Sequence, residues 1–362
     1  MHDGQYLAGR TQALFMYVIQ VATPFSTGTG FLLPQYDLIV TNEHVVRDSA
    51  SVVIGGAGLE EQLAPVIYLD PYYDLAFLRL PAASSAEPLL LAPDRPAPGV
   101  EVTASGQHFG EHRRDHRGVV LHDNVVRNGI GYFSHSAVSG TTQSGSGVYD
   151  AAGTLLGVNM LDAAEGEGGS LALPAATLAE VLRDFHRGAD RPATRCFECR
   201  QLTFEVEANP RGRCPNCGAE LILPGQLEDA VPTGVNATIE EIIRTGGHDP
   251  RLARRGPNLW NIRQGSATIQ IAYHEDSGLV TGDAYLCQLP EAPTAELLAY
   301  LLRENARTRQ LSFSTYGRDI ILSLLIYDRY LTVETALPRF EYLFEQADDY
   351  DNILVERYGA GW

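Results

Sequence analysis

The sequence predicts a multidomain protein: an all-β N-terminal half built as a barrel or sandwich pair, a small cysteine module, and an α+β C-terminal domain. Three observations carry this. Between Ala13 and Pro174, short runs rich in Val, Ile, Leu, Phe and Tyr alternate with Gly, Pro and Asp turns, with no helix longer than a turn or two. Four cysteines then fall in two CxxC pairs, Cys196/Cys199 and Cys214/Cys217. From Thr238 the order of elements becomes α-β-β-β-α-β-β-α. A length of 362 residues exceeds what one core usually supports, and the expected boundaries are 1–188, 189–231 and 232–362.

Composition narrows the function classes. A net charge of −18 and a pI near 4.9 argue against a general nucleic-acid binder. The apolar run Ala13 to Ala22 follows Arg10 but is needed as the first strand, so it is read as a strand and not as a leader. All five cysteines lie beyond position 195, leaving the N-terminal half without a disulfide framework, and a cytoplasmic location is expected. Every one of the 27 basic residues is arginine, as in a genome biased to GC-rich codons.

In chain order, expected strands include Phe15-Val21, Phe31-Leu33, Leu38-Thr41, Ser51-Ile54, Leu75-Leu80 and Val100-Ser105. A helix over Ala176 to His186 carries Leu178, Val181, Leu182 and Phe185 on one face, and Gly188 stops it. A polar linker, Ala189 to Thr194, leads to the cysteine module. Beyond it, Thr238 caps a short helix, Ile239-Arg244. Strands follow near Leu259-Arg263, Ala267-His274, Gly278-Leu289, Gln310-Tyr316 and Asp319-Asp328, with helices at Pro293-Arg307 and Val333-Tyr358.

The chemistry centres on Thr142-Gln143-Ser144-Gly145-Ser146-Gly147-Val148, a glycine-flanked serine turn entering a strand. Upstream, His44 sits just past the buried run Ile39-Val40-Thr41, and Asp74 opens the run Leu75-Ala76-Phe77-Leu78. Ser144 as nucleophile, His44 as its base and Asp74 as the group orienting the imidazole form a hydrolytic triad in the chain order His, Asp, Ser. Each residue alone is unremarkable; the order and the strand context make the set. The competing expectation is an inactive barrel serving as a scaffold for a protein partner or, second to that, a nucleic-acid partner.

Gly28-Thr29-Gly30-Phe31, Thr41-Asn42-Glu43-His44-Val45-Val46, Asp74-Leu75-Ala76-Phe77-Leu78 and Gln143-Ser144-Gly145-Ser146-Gly147 together resemble the motifs of chymotrypsin-fold serine proteases, in the bacterial HtrA-like and glutamyl-endopeptidase-like branch. Gly118-Val119-Val120 and Leu171-Ala172-Leu173-Pro174 fit the same frame, and the resemblance covers roughly residues 10–187. It implies a trypsin-like double β-barrel of two six-stranded barrels with the triad between them, and a serine endopeptidase acting through an acyl-enzyme. Counting back from Gly153 and Gly157 selects Ser144 over Ser146. The oxyanion hole is expected from the backbone N–H groups of Ser144 and Thr142. Relatives carry glycine at the latter position, and a β-branched residue there resists positive φ. That departure implies low resting activity released by a partner or substrate. Val138 falls at the base of the primary pocket, and Asn159 and Asp162 are assigned to substrate binding, Asp162 just beyond the strand that substrates pair with. Asp162, Glu165 and Glu167 are expected in an exposed acidic loop. His108, His112 and His116, with His122 just beyond, belong to an arginine-rich loop, Gln107 to Gly118, and the barrel strand it leads into, and not to a metal site.

Two CxxC turns complete a tetrahedral S₄ set, so Cys196, Cys199, Cys214 and Cys217 are assigned to one structural Zn²⁺. The module, with expected strands Leu202-Val206 and Arg211-Arg213, resembles a zinc ribbon. Arg195, Arg200, Arg211 and Arg213 form a basic cluster there, offset by Glu198, Glu205, Glu207 and Glu220, which favours protein contact over nucleic acid. Cys287 is expected to be a buried small hydrophobe. Residues 232–362 resemble YbjN-like domains, relatives of type III secretion chaperones, which implies a protein-binding or self-pairing role.

Overall fold

The computed structural model describes residues 17–107, 114–137, 144–163, 169–209, 211–229, 231–264, 267–292, 294–308 and 310–361. The chain divides into two compact units, Met1–Ala230 and Val231–Trp362.

In the first unit, β1 (Val18–Ala22), β2 (Thr27–Leu33), β3 (Leu38–Thr41), β4 (Ser51–Gly56), β5 (Leu59–Asp70) and β6 (Leu75–Arg79) run antiparallel in the order β5-β4-β1-β2-β3-β6. Pairing of β5 with β6 closes them into a barrel. Closure removes the free edges that an open antiparallel sheet must protect. Inward-facing Ile19, Val21, Leu32, Ile39, Ile54 and Leu78 fill its interior. A second closed barrel follows the order β10-β11-β12-β9-β8-β7. Its strands are β7 (Glu101–Gly106), β8 (Arg114–Arg127), β9 (Ile130–His135), β10 (Gly147–Tyr149), β11 (Leu155–Ala163) and β12 (Ser170–Pro174).

One continuous apolar cluster spans both barrels, from Phe31, Tyr68 and Phe77 to Phe133, Tyr149 and Leu173. The short helix α1 (Glu43–Val46) follows β3, and α2 (Ala175–His186) closes the second barrel. The stripe of α2 expected to be apolar is buried, and Phe185 reaches back into the first barrel, 5.4 Å from the rings of both Tyr68 and Phe77.

The region expected to be a linker is partly a strand. β13 (Ala193–Arg195) pairs in parallel with β5 and antiparallel with β14 (Leu202–Phe204), extending the first barrel's sheet by two strands. Three residues carry too little periodicity to announce a strand; tertiary pairing makes it. The expected partner Arg211-Arg213 is not a strand: only Arg213 bridges, to Glu220. Residues 114–118, expected in a loop, begin the long strand β8, which carries His116 and His122; His108 and His112 lie outside the described residues.

The second unit holds a six-stranded sheet in the order β15-β16-β17-β18-β20-β19. Its strands are β15 (Arg254–Gly256), β16 (Leu259–Gln264), β17 (Ala267–His274), β18 (Leu279–Gln288), β19 (Leu311–Tyr316) and β20 (Asp319–Tyr327). Helices α3 (Gly234–Thr245), α4 (Pro250–Ala253), α5 (Ala295–Arg307) and α6 (Val333–Tyr358) complete it. The α+β order matches expectation, with α4 and β15 added. Thr238 does not cap a helix; α3 starts four residues earlier, after Thr233, and the Thr238 hydroxyl donates to Gly234 O. Gly234, Val235 and Asn236 are weak helix formers, which masked that first turn. Among the described residues, no helix is long and apolar enough to cross a membrane.

Phe185 joins the closing helix to the first barrel's aromatic core, so Phe185→Ala should destabilise the N-terminal unit by about 3–5 kcal/mol. A denaturant midpoint unchanged from wild type would show that α2 is not part of that core.

Candidate active site

His44 and Asp74 meet because β3 and β6 are paired neighbours and each residue lies just beyond the pairing. α1 begins at Glu43 and turns the chain so that His44 faces the β5–β6 turn. Asp74 sits in left-handed backbone at φ 51°, which Asp tolerates better than most residues. Its surroundings hold it there. Asn42 Nδ2 donates to the Asp74 carbonyl at 2.8 Å, and the His44 backbone N–H donates to Asp74 Oδ1 at 3.0 Å. The second carboxylate oxygen, Oδ2, lies 2.8 Å from His44 Nδ1. With Nδ1–H donated to the carboxylate, Nε2 is left as an acceptor, which is the tautomer a general base requires.

Ser144, seventy positions after Asp74 in the chain, is brought to the segment that precedes His44 through backbone contacts. Thr29 N–H donates to Ser144 O at 3.1 Å, and Gly145 N–H donates to Asn159 O at 3.1 Å. Gly145 has φ 81°, and a Cβ on it would stand 2.3 Å from Thr29 O and 2.9 Å from the backbone nitrogen of Asn42. Only glycine fits that approach. The serine turn therefore sits directly against the segment that carries His44. Ser144 is buried, 5% exposed, and its Oγ has no hydrogen-bond partner among the described residues. Hydrogen bonds between nucleophile and base are often loose before substrate binds. Ser146 differs: its Oγ accepts from Asn159 Nδ2 at 3.3 Å. Of the two serines, Ser144 is the one with an uncommitted hydroxyl.

Asn159 is buried, 3% exposed, and its amide bridges Ser146 and His135, whose Nε2 donates to Asn159 Oδ1 at 3.0 Å. His135 Nδ1 is buried with no partner among the described residues, so protonating it would add a donor that finds no acceptor among them. Burial drives the His135 pKa down to about 4, and the Asn159 bond offsets only part of the shift. His135 was not singled out in the sequence; a histidine ending a strand of buried residues was the available signal. Val138 and Thr142 lie outside the described residues, as do Glu165 and Glu167; Asp162, expected in the loop, is instead on β11, which runs on to Ala163, and its side chain is not described.

The four module cysteines converge. Their sulfurs all lie within 4.8 Å of one another, with Cys196–Cys217 and Cys199–Cys214 at 3.6 Å, and none forms a disulfide. A tetrahedron with Zn–S bonds of about 2.3 Å has S···S edges of about 3.8 Å, so the set fits the ion expected from its donors. The Asn216 side chain heads the hydrogen bonds that hold the Cys199 thiol down to about 6. Cys287 is buried in the second unit, and burial pushes its thiol up to about 11. Arg195, counted in the basic cluster, is 8% exposed and paired with Asp70, because β13 carries it into the barrel sheet.

Residues 28–158 match the trypsin-like peptidase domain. The chain is 31% identical over 176 residues to the mitochondrial serine protease HTRA2 of Bos taurus, covering 46% of this chain and 37% of that protein. It is 27% identical over 173 residues to serine protease HTR4 of Rattus norvegicus, covering 45% and 35%. The chain thus spans a little over a third of the length of these curated relatives. A serine endoprotease of Yersinia pestis superposes with a TM-score of 0.45 at 21% identity, over 52% of this chain and 68% of that one.

The His135 pKa of about 4 against an ordinary 6.5 sets a stability window. Between those values the unfolded chain binds the proton and the folded chain does not. Stability is therefore full above the ordinary value and falls as pH drops through the window, by about 3 kcal/mol in all. Urea midpoints from pH 7 to pH 4 should show this fall, and His135→Gln should flatten it; an equal slope in the variant would contradict the assignment.

Proposed function

We propose that the chain is a serine endopeptidase in which His44, Asp74 and Ser144 hydrolyse peptide bonds of protein substrates through an acyl-enzyme. One observation carries the reading: Asp74 grips His44 at both its backbone and its ring, beside a buried serine whose hydroxyl is uncommitted. Ser144 Oγ attacks the scissile carbonyl as His44 Nε2 takes its proton. The same nitrogen then returns that proton to the leaving amine. Asp74 Oδ2 stabilises the imidazolium formed in between. Water, activated by His44, attacks the acyl-Ser144 ester and restores the serine.

The developing oxyanion would be held by the N–H groups of Ser144 and Thr142, donors whose loss typically costs about 10²–10³ in turnover. With a β-branched residue at Thr142, partner or substrate contact would complete the hole. Val138, Asn159 and Asp162 would shape the substrate strand and primary pocket. The cysteine module would hold one structural zinc as a zinc ribbon, its four protein ligands leaving no open position for chemistry. The YbjN-like 232–362 domain would recruit the protein that supplies the regulation, in a cytoplasmic setting.

A fluorophosphonate probe should label wild type and Ser146→Ala but not Ser144→Ala, and His44→Ala should lower kcat on the order of 10⁶-fold. Absence of label under every condition, with or without a co-purifying partner, would favour the inactive scaffold. Metal analysis should find one zinc per chain, lost in Cys196→Ser/Cys214→Ser; a metal-free wild type would remove the ribbon assignment.

A further inference from the structure

The cysteine cluster is tied to the turn that carries Asp74 by the residue that precedes its first cysteine. β13 lies along the end of β5, with Ala193 opposite Tyr68 and Thr194 opposite Leu69, and Thr194 Oγ1 donates to Leu69 O at 3.0 Å. Arg195, next in the strand, donates through Nε to Asp70 Oδ2 at 2.8 Å. Its other arm donates to the Arg200 carbonyl at 2.9 Å, while Arg200 N–H donates to Cys196 O at 2.8 Å. The first CxxC turn is thereby closed onto the same guanidinium that holds Asp70.

Asp70 is the last residue of β5, is fully buried, and uses both oxygens. Oδ2 also accepts from Tyr68 OH at 2.6 Å, and Oδ1 accepts the Tyr73 N–H at 3.0 Å. Tyr73 immediately precedes Asp74. The cysteine module also grips the turn from outside: the Arg200 guanidinium lies 4.4 Å from the Tyr72 ring centre, and that of Arg195 lies 5.4 Å from the ring of Tyr73. Asp74 itself is in left-handed backbone, a conformation that persists only when its surroundings over-determine it.

We propose that Arg195 is a positioning residue for catalysis. With the four cysteines locked by metal, Arg195 fixes Asp70, Asp70 fixes the Tyr73 amide, and the turn aims the Asp74 carboxylate at His44 Nδ1. Without that clamp, Asp70 is a buried carboxylate lacking its cation, the Tyr73 N–H is released, and Asp74 can relax out of positive φ. The proposal rests on the endopeptidase reading of the His44 set. It assigns the cysteine module a part in the active site: state of the metal site sets the geometry of the general base.

The test uses the full chain, zinc-loaded, and observes the downfield proton resonance of His44 Nδ1–H, assigned by its loss in His44→Ala. Arg195→Ala should keep one zinc per chain and the wild-type circular dichroism. It should nevertheless lose or broaden that resonance and slow fluorophosphonate labelling about 10²-fold, the cost of small misplacement of a catalytic group. Arg195→Lys, which keeps a cation for Asp70, should recover part of both. Arg213→Ala, whose guanidinium donates to Gly218 O in the other CxxC turn, should change neither. Stripping zinc from wild type should reproduce the Arg195→Ala loss, and re-addition should reverse it. A folded, zinc-loaded Arg195→Ala with wild-type resonance and labelling overturns the proposal. If that variant fails to fold, a wild-type resonance indifferent to zinc removal overturns it instead. No label in any protein, with the resonance still following Arg195 and zinc, would refute the endopeptidase reading and leave the clamp standing.

Discussion

The approach of Gly145 to the backbone of Thr29 and Asn42 is the contact on which the site depends, because it is where the chain's two barrels bring distant residues together. Thr41 Oγ1 donates to Thr29 O, Thr29 N–H donates to Ser144 O, and the space a Cβ would need on Gly145 is already taken by those atoms. These are backbone and hydroxyl bonds with little freedom to shift. They register the serine turn of the second barrel against the histidine segment of the first, and the shared apolar cluster behind them keeps that register. A hydrolytic triad needs its members placed to within fractions of an ångström, and close-packed backbone supplies that better than side-chain contacts can.

The second constraint is the turn from Asp70 to Asp74. Its two ends are carboxylates with opposite surroundings: Asp70 is buried against Arg195, Tyr68 and the Tyr73 amide, and Asp74 stays half-exposed against His44. A buried ion pair adds little net stability over apolar packing, yet losing one partner is costly, so such a pair specifies geometry more than it stabilises. The cysteine module enters here. Its leading strand is the seventh in the first barrel's sheet, which makes a region that composition sets apart continuous with the fold that carries the site.

Much of this was legible in the sequence, for identifiable reasons. Alternating apolar runs between turn residues announce barrel strands whatever their partners, so the all-β half and most of the α+β elements could be placed. His44, Asp74 and Ser144 could be picked because each borders a strongly apolar strand. Gly145 could not be distinguished from an ordinary flexible glycine, because what it must approach lies more than a hundred residues earlier. Arg195 read as part of a basic cluster offset by glutamates, since nothing local says that a three-residue strand will carry it beside Asp70. An aspartate ending a buried strand was a clue that some cation had to come to it, but not which one. His135 escaped for the same reason: its neutral state is a consequence of burial and of Asn159, both tertiary. Position 142 is where a local residue choice departs from the resembling family, and the backbone there lies outside the described residues.

The central claim is that Ser144, and not its neighbour Ser146, becomes covalently acylated when His44 and Asp74 are in place. The most direct measurement is mass spectrometry of the protein mixed with an activated ester and quenched in acid, with the adduct mapped by peptide fragmentation. The account predicts a single acyl group on Ser144 that is absent in His44→Ala. An acyl group on Ser146, or no adduct on either serine, would contradict it.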